Sequence, residues 1–124
     1  MIDKTKLSKK QAVRYENLLP DGKPRYVRIY DNQGDTNDRY TVVFTGRYRR
    51  DPYDDYIYLG MNGGPFHPQG FCQHGGSPTR IDYPTYRHLG KKIQFTDLSK
   101  DCQTATIDSY LCIWGFTDQL GNQL

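Results

Sequence analysis

Two strand-like segments separated by a polar turn constrain the fold of this chain more than any other feature. The first, residues 39–45, is rich in β-branched and aromatic residues. The second, residues 56–61, alternates between two faces and places its aliphatic side chains on one of them. An Asp-Pro pair starts a turn in the polar segment between them, so residues 39–61 predict an antiparallel hairpin with a long tip. Residues 25–30 alternate in the same way and predict a further strand.

The C-terminal part of the chain predicts one main helix. Apolar side chains recur at near-helical spacing over residues 97–114. Thr96 or Asp97 is placed to cap the start of this helix, and Gly115 is placed to end it. A short strand is expected just before the helix, at residues 92–95.

These elements predict an α+β fold, with a small antiparallel sheet of about three to five strands packed by the C-terminal helix. A long ordered loop is expected at residues 62–92. Residues 1–24 form a basic N-terminal arm, which is either a flexible segment or a helix over residues 8–18 capped by its first residue. That helix would carry lysines in its first turn, where acidic residues are favoured. Residues 116–124 predict a polar tail, and the whole chain, 1–124, predicts a single domain.

The composition limits both the core and the partners. Only 35% of the residues are hydrophobic, and eleven tyrosines make up much of the deficit, which indicates a partner-facing surface or a tyrosine-rich sheet face. The net charge of +3 is well below the level that indicates nucleic-acid binding by itself. The three cysteines lack a CxxC pair, and no signal-like or membrane-length apolar run is present, so we expect a soluble cytoplasmic protein with reduced thiols.

A glycine- and proline-rich loop, residues 63–76, carries the side chains that are best suited to metal binding or catalysis. His67, Cys72 and His74 could ligate a metal, or Cys72 could act as a nucleophile with a histidine as its base. Their spacing matches no common zinc frame, and no set of acids and bases completes a catalytic site. The sequence therefore favours a structural role, in which the histidines hydrogen-bond backbone groups, and predicts neither a catalytic residue, a metal nor a cofactor.

Two clusters of arginine and tyrosine predict a contact surface, because these residues are enriched in interface hot spots and in nucleic-acid contacts. The first cluster, at the tip of the predicted hairpin, consists of Arg47, Tyr48, Arg49, Arg50 and Tyr53. The second consists of Arg80, Tyr83, Tyr86 and Arg87. Aspartates next to the first cluster would repel phosphates, which favours a protein partner.

Several segments between residues 39 and 114 resemble a small family of uncharacterised proteins from phages, plasmids and other mobile elements of bacteria. The segments that carry the resemblance are residues 39–45, 58–61, 65–71, 73–75, 88–93 and 97–98. The resemblance implies a compact protein that acts on the machinery of the host or of the element. It implies no catalytic residue, since the family has no established activity.

The sequence and the resemblance together predict a non-catalytic binding protein of the host cytoplasm. It would regulate or inhibit a host nucleic-acid-handling or defence complex, such as CRISPR or restriction machinery, through contact with a host protein or ribonucleoprotein. Two alternatives stay open: a small metal- or Cys/His-dependent enzyme that uses the 63–76 loop, and a protein that binds nucleic acid directly.

Overall fold

The described residues form an antiparallel five-stranded sheet with two helices, and the predicted α+β class is confirmed. The structure is a computed structural model that describes residues 2–45, 57–67, 69–75 and 86–124. The helices are α1 (Lys9–Leu18) and α2 (Lys100–Ile113), and the strands are β1 (Val27–Asp31), β2 (Tyr40–Phe44), β3 (Ile57–Met61), β4 (Phe71–Gly75) and β5 (Lys91–Ile93). The strand order in the sheet is β4-β3-β2-β1-β5.

The predicted hairpin is formed by β2 and β3. Their register pairs Val42 with Leu59 and Phe44 with Ile57, so the aliphatic face of each strand lies on the same side of the sheet. The core occupies this side, between the sheet and the helices, and Val42 and Leu59 are fully buried in it. The tip of the hairpin lies outside the described residues.

The segment 62–92 contains more regular structure than the sequence indicates. It includes β4, which pairs antiparallel with β3, and a 3₁₀ turn at Tyr86–Leu89. Its prolines and glycines obscure the strand, because β4 is only five residues long and ends in glycine. The short strand expected at 92–95 is β5, which begins one residue earlier and ends two residues earlier.

Helix α2 begins at Lys100 with Ser99 as its N-cap, and the predicted caps Thr96 and Asp97 are wrong. The Ser99 side chain accepts a hydrogen bond from the Cys102 backbone N–H. Thr96 and Asp97 belong to a separate 3₁₀ turn, in which the Asp97 carboxylate accepts from the Gln94 N–H at 2.8 Å.

The predicted end of α2 at Gly115 is confirmed. Gly115 has a φ of +81°, and its N–H donates to the Cys112 carbonyl. The N–H of Phe116 reaches back to Leu111, which completes a Schellman motif.

The N-terminal segment adopts the helical alternative of the two that the sequence left open. Ser8 caps α1, and the side chain of Gln11 returns a hydrogen bond to the Ser8 N–H, so the two residues form a capping box. The end of α1 is tied to α2 by Tyr110, which is fully buried and donates its hydroxyl to the Leu18 carbonyl at 2.9 Å.

The predicted polar tail is folded onto the N-terminus. Phe116 is buried in the core, and the side-chain amide of Gln123 exchanges two hydrogen bonds with the backbone of Asp3. Of the helices in the described ranges, none has the length and apolar composition that crossing a bilayer requires.

Candidate functional site

The β3–β4 connection is held as a compact turn by its own backbone. The N–H of Asn62 donates to the Gly70 carbonyl, and the N–H of Gly70 donates to the His67 carbonyl at 2.8 Å. A third bond joins the His67 N–H to the Gly64 carbonyl. A Cβ atom at Gly70 would overlap the Gly64 carbonyl oxygen, so the turn requires glycine there.

His67 makes a backbone hydrogen bond of the kind that the structural interpretation of the loop predicts. Its side chain is exposed, and Nδ1 accepts a hydrogen bond from the Gln69 backbone N–H at 3.2 Å. The imidazole therefore satisfies a backbone donor within the turn.

Cys72 lies in β4, where its thiol contacts the carboxylate of Asp38, a residue that the sequence analysis did not associate with it. Sγ is 3.6 Å from Oδ2 of Asp38 and 3.8 Å from the Gly60 carbonyl oxygen. Burial, and then the neighbouring Asp38 carboxylate, raise the pKa of the Cys72 thiol. Because the thiolate is the reactive form, this surrounding disfavours Cys72 as a nucleophile at neutral pH.

One sequence signal for the Asp38 contact exists in hindsight, and it is Gly60 in the middle of a strand. A Cβ atom at this position would stand 2.7 Å from Oδ2 of Asp38, so only glycine leaves room for the carboxylate over the sheet. The separation of Asp38 and Cys72 by 34 residues explains why a spacing argument missed the pair.

The three candidate ligands are divided between the turn and the strand. His67 is in the turn, whereas positions 72 and 74 lie on one face of β4, opposite Gly60 and Tyr58 of β3. The side chain of His74 lies outside the described part of the structure. Within the described ranges, no group of three or more His, Cys, Asp or Glu side chains is placed to hold a metal ion.

Most of the predicted contact residues lie outside the described residues and stay predictions. These are Arg47, Tyr48, Arg49, Arg50, Tyr53, Arg80 and Tyr83. Tyr86 begins a 3₁₀ turn, although its side chain is not among the parts that the structure describes, and Arg87 follows it with an exposed side chain.

Helix α1 and the 3₁₀ turn that precedes it, Lys4–Lys6, carry a concentration of positive charge that we call the basic face: Lys6, Lys9, Lys10 and Arg14. All four side chains are exposed. The carboxylate of Glu16, on the same helix, is paired with Lys4 at 3.0 Å. The guanidinium of Arg14 lies over the rings of Trp114 and Phe116, which packs the basic face against the end of α2.

An apolar cleft of about 450 Å³ lies beside α1 and α2. Its apolar lining consists of Ile2, Tyr15, Phe95, Ile107 and Leu111. Lys100 and Asp108 are among its polar lining residues. Tyr15 of α1 is part of this lining, so α1 contributes both to the basic face and to an open apolar surface, a combination that protein contact sites use.

The fold and these surfaces define a small α+β protein with a basic helical face. A comparison with protein-family models, curated proteins and solved structures found no match to this chain.

Proposed function

We propose that this chain is a non-catalytic binding protein that regulates or inhibits a host nucleic-acid-handling or defence complex by protein–protein contact, in the manner of an anti-CRISPR or anti-restriction protein. The mobile-element context of the proposal comes from the resemblance over residues 39–114. The observation that supports the binding function is the basic face of α1, together with the apolar cleft that Tyr15 of the same helix helps to line.

The lysines of the basic face are placed where they weaken the helix. Ser8 is the N-cap, so Lys9 and Lys10 are the first two residues of α1. The amino end of a helix carries partial positive charge, and cations there are unfavourable. Residues that contradict a local rule without a folding benefit are expected at functional positions.

The partner that suits this surface is an acidic patch on a protein. A chain with a net charge of +3 cannot act as an acidic mimic of DNA, so it must engage such a complex in another way. Phosphate contacts need only cations, whereas the apolar cleft beside α1 provides area that a protein side chain can fill.

The proposal is tested in bacteria that carry an active CRISPR or restriction system and are challenged with a phage that the system targets. The wild-type protein should raise the plating efficiency of the phage. The double variant Lys9→Glu with Lys10→Glu should lose this effect by about tenfold or more, because it places acids against an acidic partner. The matched control, Arg28→Glu with Lys91→Glu, changes the net charge equally at exposed sites elsewhere and should retain the effect.

The two parts of the proposal fail in different ways. A wild-type protein that leaves plating unchanged against a panel of such systems contradicts the anti-defence function. Equal protection by both double variants contradicts the basic face as the contact surface.

A second candidate function is direct nucleic-acid binding, which the same basic face favours. It predicts an affinity for duplex DNA or RNA that falls steeply between about 50 and 200 mM salt, and a shallower salt dependence in the Lys9/Lys10 variant. Fluorescence anisotropy with labelled oligonucleotides measures both. Undetectable binding at moderate salt would remove this candidate.

A further inference from the structure

Strand β1 has an open edge at Val27. On one side, β2 pairs with all of β1, but on the other side β5 pairs only with Ile29–Asp31. The Tyr26 carbonyl accepts from the Thr45 N–H on the β2 side, so alternation directs the N–H and C=O of Val27 to the opposite side. Within the described residues, no strand lies next to Val27 there.

The edge is open because the chain turns away at the end of β5. Continuing the register of β1 and β5 would bring Phe95 opposite Val27. Phe95 instead begins a 3₁₀ turn, which the Asp97 carboxylate fixes by accepting from the Gln94 N–H. The backbone N–H and C=O of Val27 therefore face a groove instead of a neighbouring strand.

The groove has a volume of about 300 Å³ and combines an apolar lining with positive charge. Its apolar lining includes Val27, Ile93 and Phe95. Its charged lining, within the described residues, consists of the cations Lys23, Arg25 and Lys92.

The cations of the groove are available to a ligand to different degrees. Arg25 spends one guanidinium donor on the Asn17 side chain, at 2.7 Å. In the described ranges, neither Lys23 nor Lys92 has an ion-pair partner. A ligand that brings a carboxylate therefore meets cations whose charge is not already neutralised.

We propose that this groove binds an extended acidic peptide segment of a partner protein, whose backbone pairs with Val27 in the line of β5. Addition of a strand to an exposed edge uses main-chain hydrogen bonds for affinity and flanking side chains for selectivity. Here the N–H and C=O of Val27, unpaired within the described residues, would provide the main-chain hydrogen bonds, and Lys23, Arg25 and Lys92 would select a peptide with carboxylates. This site goes beyond the proposed function, since it does not involve the basic face of α1.

The probe is a fluorescein-labelled peptide of alternating aspartate and valine, titrated with the full chain at low salt. We expect saturable binding that is at least about tenfold tighter than that of the same peptide with lysine in place of aspartate. Single N-methylation along the peptide should weaken binding in an alternating pattern, because only amides that face Val27 lose a hydrogen bond. Equal affinity for both peptides, no saturable binding, or indifference to N-methylation overturns the proposal.

The protein side of the test is a charge reversal. Lys23→Glu with Lys92→Glu should weaken the aspartate peptide by about tenfold and reverse the preference toward the lysine peptide. A reversal of preference cannot result from unfolding, and a melting curve checks the fold independently. Lys9→Glu with Lys10→Glu makes the same change of net charge at α1, away from the groove lining, and is the matched control that should leave binding unchanged. An oligonucleotide that competes for the groove with higher affinity than the peptide would contradict a peptide site.

Discussion

Replacing Lys9 and Lys10 with glutamate should stabilise the protein while it abolishes the proposed contact. The first turn of α1 reads Lys9, Lys10, Gln11, so its charges oppose the helix dipole. Lys10 also stands four residues before Arg14, where a like charge is unfavourable and a glutamate would attract the guanidinium. Ser8 and Gln11 remain in place, so the capping box is preserved.

The expected gain follows from these two effects. A favourable charge in the first turn contributes about 0.3 to 1 kcal/mol, and the glutamate–arginine pair about 0.2 to 0.5 kcal/mol. The double variant should therefore gain about 1 to 2 kcal/mol at low salt. For a domain of this size, that corresponds to a rise in Tm of about 3 to 8 °C.

Urea denaturation followed by circular dichroism measures the gain at low ionic strength and again near 1 M salt, where screening should remove most of it. Lys9→Gln with Lys10→Gln, which removes the charges without reversing them, should give about half of the effect. An unchanged or lower free energy of unfolding at low salt would refute the argument. So would a gain that persists undiminished at high salt, because it could not then be electrostatic.

Three further outcomes follow from packing and hydrogen bonding. Gly70→Ala should cost about 1 to 3 kcal/mol in urea denaturation, because its Cβ atom overlaps a backbone carbonyl, whereas Gly63→Ala, which meets open space, should be close to neutral. Tyr110→Phe should cost about 1 to 2 kcal/mol, since it leaves a buried carbonyl at the end of α1 without its donor. The guanidinium of Arg39, which binds the Asp31 carboxylate, lowers the pKa of Asp31 below its ordinary value of 3.8. The ionised carboxylate therefore stabilises the fold above pH 3.8, and this contribution is lost as the pH falls through the lower pKa of the folded state. Asp31→Asn should therefore destabilise the protein near neutral pH and become nearly neutral in strong acid, which denaturation curves across pH would show; an equal cost at both ends would contradict the ion pair.

Local rules predicted the parts of the fold that depend on neighbouring residues. The helical alternative for the N-terminal arm places Ser8 as its cap, and Gly115 is predicted to end α2; the structure has both, because each role follows from side-chain chemistry and φ within one turn. The hairpin of β2 and β3 is predictable for the same reason, since residues 39–45 are rich in β-branched and aromatic side chains and residues 56–61 alternate.

Features that depend on distant residues were not predictable in this way. Ser99 caps α2 although Thr96 and Asp97 are equally good caps by composition, because those two residues belong to a separate 3₁₀ turn in which Asp97 accepts from the Gln94 N–H. The contact of Cys72 with Asp38 joins β4 to the turn before β2, so no spacing rule in the sequence could have found it.

The first turns of α1 and α2 differ in charge, and the difference favours a functional α1. Both begin with a lysine after a serine cap, Lys9 in α1 and Lys100 in α2. At the second position α2 has Asp101, as the helix dipole favours, whereas α1 has Lys10. The chain contains thirteen other aspartates and glutamates, so the choice of lysine in α1 does not result from a shortage of acids. Helix α1 has a complete capping box but carries an unfavourable charge beside it. Binding to an acidic partner explains this charge, which the stability of the fold does not require.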